Sequence, residues 1–178
     1  MRSTVADRSE QTALVAALRR GDAEALRDAY VRYGPAVYRI AYRLLGSAAD
    51  AEDVLQDVFV GLPEALRAYD VRVSFEGWLR RVAARTALMR LRGQRRRREE
   101  PLEPLSEPAV SARDDVDRVA LERAIAALPD TLRSVFVLKE IEGYAHADVA
   151  ELLGISVGAA EVRLHRAKRE LRRMLRSR

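Results

Sequence analysis

The chain has 178 residues, of which 48% are hydrophobic and 33% are charged, and this composition excludes a disordered chain and predicts a globular protein. Its formal net charge of +5 predicts a mild preference for polyanions. It has no cysteine, which excludes disulfide frameworks, thiolate zinc sites and cysteine nucleophiles. No stretch approaches the roughly 20 apolar residues that span a bilayer, and residues 1–11 lack the apolar core of a signal peptide, so we expect a soluble, cytoplasmic protein.

The first half of the chain, residues 10–98, predicts helices and no strand. Apolar residues recur at helical spacing, and four helices are expected at about 10–19, 22–45, 48–68 and 75–97. Ser47 stands three residues before Asp50, a capping-box spacing that begins a helix. Ser74 can cap the fourth helix, whose expected buried stripe consists of Phe75, Trp78, Leu79, Val82, Thr86 and Met89.

Cations cluster in two separate places. The fourth helix carries arginines largely outside its buried stripe, and residues 90–98 alone hold six arginines. Residues 161–178 hold eight Lys or Arg against two Glu. Two separate basic surfaces predict a long anionic partner that is contacted twice.

Residues 99–115 separate the two halves. This segment contains three of the six prolines and six acids, and it has no helical apolar period. We therefore expect an extended or disordered acidic linker.

The second half predicts a helix-turn-helix. Helices are expected at about 114–127, 132–142 and 146–153 and from Val157 onward, and Gly143 ends the second of these. Ala150 is small enough to let two helices cross closely, Gly154 suits a positive-φ turn, and Ser156 can cap the last helix. Such a unit is typical of many DNA-binding proteins.

The last helix has a buried stripe and a polar face. Ala160, Leu164, Ala167 and Leu171 form the stripe, and the face that could enter a major groove contains Glu161, Val162, Arg163, His165 and Arg166. Arginine can bind guanine, a carboxylate can accept from cytosine, and valine can contact the thymine methyl group. The alternative is a solvated charged face. His165 is expected to be a surface contact, because no metal-ligand spacing surrounds it.

The third predicted helix is acidic. Asp50, Glu52, Asp53 and Asp57, with Gln56 between them, would repel DNA and suit a basic protein surface better. The alternative, solvated acids that favour a helix N-terminus, accounts for Asp50 and Glu52.

Four motifs together resemble a known family over nearly the whole chain. The chain resembles regions two and four of extracytoplasmic-function sigma factors in the strings DAEDVLQDVFV (50–60), SFEGWLRRVAARTA (74–87), ALPDTLRSVFVLKEIEGYAHADVAELLGIS (127–156) and RLHRAKRELR (163–172). The resemblance implies an all-α fold of two small helical domains, region 2 at 10–98 and region 4 at 116–176, the latter a helix-turn-helix. A flexible acidic linker, 99–115, would join them and thread through polymerase.

The resemblance also implies partners and contact residues. The partners are the RNA polymerase core, promoter DNA and an anti-sigma factor, with no cofactor, no metal and no catalytic residue. Asp53, Gln56 and Asp57 match the docking surface for the clamp of the largest polymerase subunit. The loop 69–74 and the following helix match the part that captures the melted minus-ten element, with contacts from Ser74, Arg80, Arg81, Arg85 and Arg92. The minus-thirty-five element would be contacted by Lys139, Glu161, Val162, Arg163, His165, Arg166 and Lys168.

Three positions bear on promoter choice. Glu161 stands where relatives carry a cation, and Arg85 stands where they usually have asparagine, so the preferred promoter sequence is not expected to match that of a relative. Trp78 could be a platform on which bases stack, but its place in the apolar stripe favours core packing.

Two other functions fit parts of the sequence. A helix-turn-helix regulator would bind duplex DNA through the second half and would have no sigma role. A magnesium-dependent nuclease would need Asp50, Asp53 and Asp57 to converge, but their i and i+3 spacing suits docking better, and no phosphate loop or paired nucleophile is present.

Overall fold

The computed structural model describes residues 3–98 and 116–176, and every regular element within these two ranges is helical. The first range contains α1 (Ser3–Arg19), α2 (Ala23–Leu45), α3 (Ala48–Val60), α4 (Leu62–Ala65), a 3-10 turn (Leu66–Ala68) and α5 (Phe75–Arg98). The second contains α6 (Val116–Ala126), α7 (Asp130–Phe136), a π turn (Val137–Ile141), α8 (His146–Leu153) and α9 (Val157–Arg176). The all-α prediction is confirmed, and the predicted linker, 99–115, lies outside the described residues.

The core of the first range forms around α2. This helix packs against both α3 and α5, and its Ile40 and Leu44 are fully buried. The short α4 and the 3-10 turn contribute Leu62 and Leu66, and α5 contributes Phe75. Because these large side chains come from every neighbouring element, the hydrophobic effect holds α3 and α5 against α2 and against each other.

The second range packs around α9. Its predicted stripe of Ala160, Leu164, Ala167 and Leu171 is buried, as expected from the spacing. The helices α6, α7 and α8 contact it, and α8 buries Val149 and Ala150. No helix in the described part of the chain combines the length and the apolar composition that a membrane span needs.

Three predicted helices differ from the observed ones. The helix expected at 48–68 ends at Val60, because Pro63 lacks an N–H and its ring conflicts with the carbonyl four residues earlier, so a new helix begins at Leu62. The helix expected from residue 10 begins at Ser3. The helix expected at 132–142 begins at Asp130 and widens into the π turn.

The buried stripe of α5 also departs from its prediction after Val82. Met89 is 68% exposed, and the inward positions are taken by Ala83, Ala87, Leu88 and Leu91. Steps of four residues exceed the 3.6-residue helical period, so the buried line drifts around the helix and leaves Met89 outside it.

The predicted caps are confirmed where the structure describes them. The Ser47 hydroxyl accepts from the Asp50 N–H at 3.3 Å, and the Ser156 hydroxyl accepts from the Ala159 N–H at 3.1 Å. Gly154 has φ +65 at the end of α8, and its N–H donates to the Glu151 carbonyl at 3.2 Å. These two residues set the sharp turn that joins α8 to α9.

Replacing Gly154 by alanine is expected to destabilise the protein by about 1–2 kcal/mol, because a Cβ disfavours the left-handed backbone conformation although no atom lies within 4 Å of it. Urea unfolding of the full chain measures the change. Gly158→Ala is the matched control, since its Cβ also meets nothing within 4 Å but its backbone is helical. That variant should lose no stability, and an equal loss in both would contradict the explanation.

Candidate polymerase and nucleic-acid interfaces

The three candidate docking residues share one exposed face of α3. Asp53, Gln56 and Asp57 are all exposed, one helical turn apart, while Val54 and Val58 anchor the opposite face in the core. The face is therefore accessible to a partner.

Arg90 connects this acidic face to α5. Its Nε donates to Asp50 Oδ1 at 2.8 Å, and its Nη2 donates to Asp53 Oδ2. Burial raises the pKa of the Asp50 carboxyl, but hydrogen bonds from Arg90, Gln94 and Ser47 outweigh this and hold that pKa below its usual value. In the sequence Arg90 belongs to the basic stretch 90–98, and its contact with α3 is not predictable, because nothing local links residue 90 to that helix.

An apolar groove borders the acidic face and was also missed. Tyr30 and Phe59 pack edge to face at 5.0 Å and line this groove together with Gln56 and Val60, the last of which is 83% exposed. A second part of the groove runs along Val31, Gly34, Pro35, Tyr38 and Leu55. Exposed apolar surface beside acids is typical of a protein interface. The sequence contained one indication of this groove, the apolar residue Val60, which ends α3 just before Gly61.

Four arginines on α5 lie on its side toward the second helical range. Arg80 Nε donates to Glu142 Oε2 at 2.9 Å, and Arg81 lies over the Tyr144 ring, 5.9 Å from its centroid. Arg92 donates to the Leu152 carbonyl. Arg85 lines a cleft with Glu151 and Leu152. The candidate minus-ten cations therefore lie together, but against residues of the same chain.

The loop before α5 is held by hydrogen bonds from its own side chains and from α1. The Tyr69 hydroxyl donates to the Val73 carbonyl at 2.7 Å and accepts from Gln11 Nε2 at 2.8 Å. Side-chain and backbone hydrogen bonds from Arg72 lower the pKa of the Asp70 carboxyl to about 2. The Ser74 hydroxyl caps α5 by accepting from the Gly77 N–H at 3.3 Å.

Trp78 belongs to an aromatic cluster. Its ring lies 5.7 Å from that of Phe75 and 5.0 Å from that of Tyr69, and it is partly buried against the core. This placement supports core packing for Trp78, as its position in the stripe predicted.

The helix-turn-helix exposes part of its predicted contact set. Glu161, Val162, His165 and Arg166 are exposed on α9, whereas Arg163 is half-buried and lines a cleft beside Arg92. Two other candidate cations have partners within the protein. Lys139 Nζ donates to the Tyr144 carbonyl at 3.1 Å, and Lys168 Nζ lies 3.0 Å from Glu140 Oε1.

The carboxylates of α3 do not form a metal site. Asp50 and Asp53 both bind the Arg90 guanidinium, which offsets one of their two negative charges and occupies an oxygen of each carboxylate. Among the described residues, no group of three His, Asp or Glu side chains is placed to hold a metal ion. These contacts do not favour the nuclease alternative.

Comparisons with known proteins match both helical ranges. Residues 29–97 match the family model for sigma-70 region 2, and residues 118–171 match that for sigma-70 region 4. The chain is 34% identical over 161 residues to the RNA polymerase sigma factor CarQ of Myxococcus xanthus, covering 88% of this chain and 92% of that protein. It is 29% identical over 174 residues to the ECF RNA polymerase sigma factor SigW of Bacillus subtilis, covering 89% and 93%.

Solved structures show the same fold. The sigma factor RpoE of Bartonella quintana, in complex with the anti-sigma factor NepR, superposes with a TM-score of 0.63 at 21% identity, covering 84% of this chain and 96% of that one. CnrH, in complex with the cytosolic domain of CnrY, has a TM-score of 0.57 at 28% identity, covering 94% and 97%. Because its relatives match along nearly all of its length and the models of sigma-70 regions 2 and 4 both match it, this chain belongs to the extracytoplasmic-function group of RNA polymerase sigma factors.

Proposed function

We propose that the two helical regions hold different parts of the transcription initiation assembly. Residues 10–98 would bind core RNA polymerase and the minus-ten element, and residues 116–176 would bind the minus-thirty-five element. Residues 99–115 would tether the two regions. When one region binds its promoter element, the effective concentration of the other region near its own element would therefore rise. The observation that carries this division is the opposite charge of two exposed faces, acidic on α3 and cationic on α9.

The acidic face of α3 is the proposed polymerase contact. Asp53, Gln56 and Asp57 would meet the clamp of the largest subunit, and the groove beside Gln56 would add apolar contact area. A charged rim around an apolar centre supports a protein partner rather than a nucleic acid. Asp57 is the simpler acid to test, because Asp53 also binds Arg90.

Asp57→Arg is expected to lower the affinity of the full chain for RNA polymerase core at least tenfold, because a cation would face a basic partner surface. Fluorescence anisotropy with purified core at modest salt measures it. Glu10→Arg, which makes the same charge change at an exposed acid of α1, is the matched control and should bind as the parent chain does. Equal losses in both variants would mean that only net charge matters, which contradicts docking at α3.

The face of α5 is the proposed minus-ten contact. Its cations would hold phosphates of the melted strand, and the loop 69–74 would lie beside an unstacked base. The close grouping of these side chains on one helix supports this role. The proposed contacts are Ser74, Arg80, Arg81, Arg85 and Arg92.

The face of α9 is the proposed minus-thirty-five contact. Exposed Arg166 could bind guanine, Glu161 could accept from cytosine, and Val162 could contact a thymine methyl group. Their exposure on the helix that follows the turn supports insertion into a major groove. The full proposed set is Lys139, Glu161, Val162, Arg163, His165, Arg166 and Lys168.

Arg166→Ala is expected to weaken binding of the polymerase complex to its preferred promoter about tenfold, since a bidentate contact to a base would be lost. The probe is a promoter duplex selected from a random pool by the complex of this chain with core, at fixed salt. Arg172→Ala removes another exposed cation of α9 and should weaken binding to all duplexes slightly and equally. If Arg166→Ala also acted equally on all duplexes, a base-specific role would be wrong.

As a specificity subunit the chain would have no catalytic chemistry and no cofactor, and it would act in the cytoplasm, where the polymerase is. An anti-sigma factor is proposed as a further partner, because RpoE of Bartonella quintana was solved in complex with one. A helix-turn-helix regulator without a sigma role is not favoured, because matches to sigma regions 2 and 4 cover both halves.

A further inference from the structure

We propose that α1 holds the loop 69–74 in the shape that captures an unstacked base, which makes Gln11 and Arg19 positioning residues for the minus-ten element. The inference rests on the proposed function of that loop. The match to the sigma-70 region 2 model begins at residue 29, so α1 lies before the matched part of the chain. The inference therefore gives a role to a helix that the family match does not include.

The helix α1 is itself fixed on the first helical region. It contacts α2 and the 3-10 turn, and its Val15 and Leu18 are buried in the core. A tight turn then joins α1 to α2, in which Gly21 has φ +77 and the Asp22 N–H donates to the Ala17 carbonyl at 3.2 Å. Because burial and this turn both fix the helix, its polar side chains can hold a neighbouring segment in one place.

Arg19 of α1 holds the start of the loop. Its Nη2 donates to the Leu66 carbonyl at 3.1 Å and to the Tyr69 carbonyl at 3.0 Å. Leu66 belongs to the 3-10 turn and Tyr69 directly follows it. Carbonyls at the end of a helix carry partial negative charge, which the guanidinium complements. Arg19 therefore fixes the direction in which the chain leaves the turn.

Gln11 of α1 holds the other end of the loop. Its Nε2 donates to Tyr69 Oη at 2.8 Å and to the Val73 carbonyl at 3.3 Å. Tyr69 Oη donates to the same carbonyl at 2.7 Å, and the Tyr69 ring is buried 5.6 Å from that of Phe75. Two donors thus converge on one carbonyl, so the three groups act as one hydrogen-bond network.

These bonds leave the tip of the loop exposed and apolar. The Val73 N–H donates to the Asp70 carbonyl at 3.1 Å, so residues 70–73 form a tight turn. Val71 is 54% exposed and Val73 is 41% exposed. Arg72 lies between them and binds Asp70 at 2.6 Å, which offsets its charge. Enzymes and factors that hold an unstacked base pack apolar side chains against it, and the two valines suit such a contact.

The advantage of holding the loop is entropic. A loop that ordered itself only on binding a base would lose conformational freedom at that step, which opposes binding. The bonds from Gln11 and Arg19 restrict the loop in the folded chain before DNA arrives. Removing one of them should therefore reduce the preference for the correct minus-ten sequence more than it reduces binding to any single strand.

The first experiment compares Arg19→Ala with Arg20→Ala in the full chain bound to core RNA polymerase. Both variants remove one exposed arginine at the end of α1, but Arg19 is the one that bonds the loop carbonyls. The probes are a fluorescent single strand with the minus-ten element of a promoter selected by the parent complex, and a scrambled strand of equal composition. Arg19→Ala is expected to lower the ratio of the two affinities about fivefold, whereas Arg20→Ala should leave it unchanged.

The second experiment uses Gln11→Glu, which keeps the size of the side chain but replaces the amide donor by an oxygen. A carboxylate would repel the Val73 carbonyl, so the ratio should again fall about fivefold. Ala13→Glu adds the same charge at an exposed position of α1 and should keep the parent ratio. Tyr69→Phe removes the other donor to Val73. Combined with Gln11→Glu, it should lower the ratio by less than the product of the two single effects, because both act on one carbonyl.

The ratio separates positioning from a general loss of structure, because a merely destabilised protein would bind both strands less well and keep the ratio. An unchanged ratio in both Arg19→Ala and Gln11→Glu would overturn the inference and leave the proposed function standing. Equal falls in Arg20→Ala and Ala13→Glu would also overturn it, since neither replaced side chain is bonded to the loop. A parent complex that binds both strands equally would contradict the proposed minus-ten role, and the inference would fail with it.

Discussion

The end of α2 is the most deeply buried contact between the two helical regions, and the guanidinium of Arg133, in α7, makes it. Leu44 and Leu45 offer carbonyls that the helix itself cannot pair, and a hydrogen bond from a charged donor to such groups contributes about 1.5–3 kcal/mol. The planar fork of arginine donates to several carbonyls from separate nitrogens, whereas a lysine would present a single ammonium nitrogen. Gly46 leaves the space for it and ends α2 in the left-handed conformation.

The helix α5 contacts three different parts of the protein. Phe75 and Leu79 place it in the core, Arg90 binds the acids of α3, and Arg80 faces the second region. Since Arg90 is neutralised by Asp50 and Asp53, its charge belongs to the acidic face of α3 that is proposed for docking rather than to the cationic face of α5. One helix thus carries a cation that is paired with acids of α3 and, separately, the cations that are proposed to bind DNA.

Local features were predictable from the sequence because their causes are local. The turn at Gly154, the cap at Ser156 and the buried stripe of α9 follow from backbone preference and helical periodicity. The exposure of Met89 was not predictable in this way, because a stripe can drift in a long helix and only the neighbours decide which line is buried. The bonds from Arg90 to α3 and from Arg80 to Glu142 join residues 37 or more positions apart, and no local pattern encodes them. The four family motifs predicted the family, but not that the cations of α5 would already be occupied.

The π turn at Val137–Ile141 has a geometric consequence for Glu142, which follows it directly. The Glu142 N–H donates to the Val137 carbonyl at 2.9 Å, five residues back, so the turn holds one residue more than an α-helical turn. That extra residue rotates everything beyond it by about 100° relative to a regular helix. Removing a single residue here would swing the carboxylate off Arg80 without altering the composition of either region. The number of residues in this turn, as much as their chemistry, therefore determines whether Glu142 reaches Arg80.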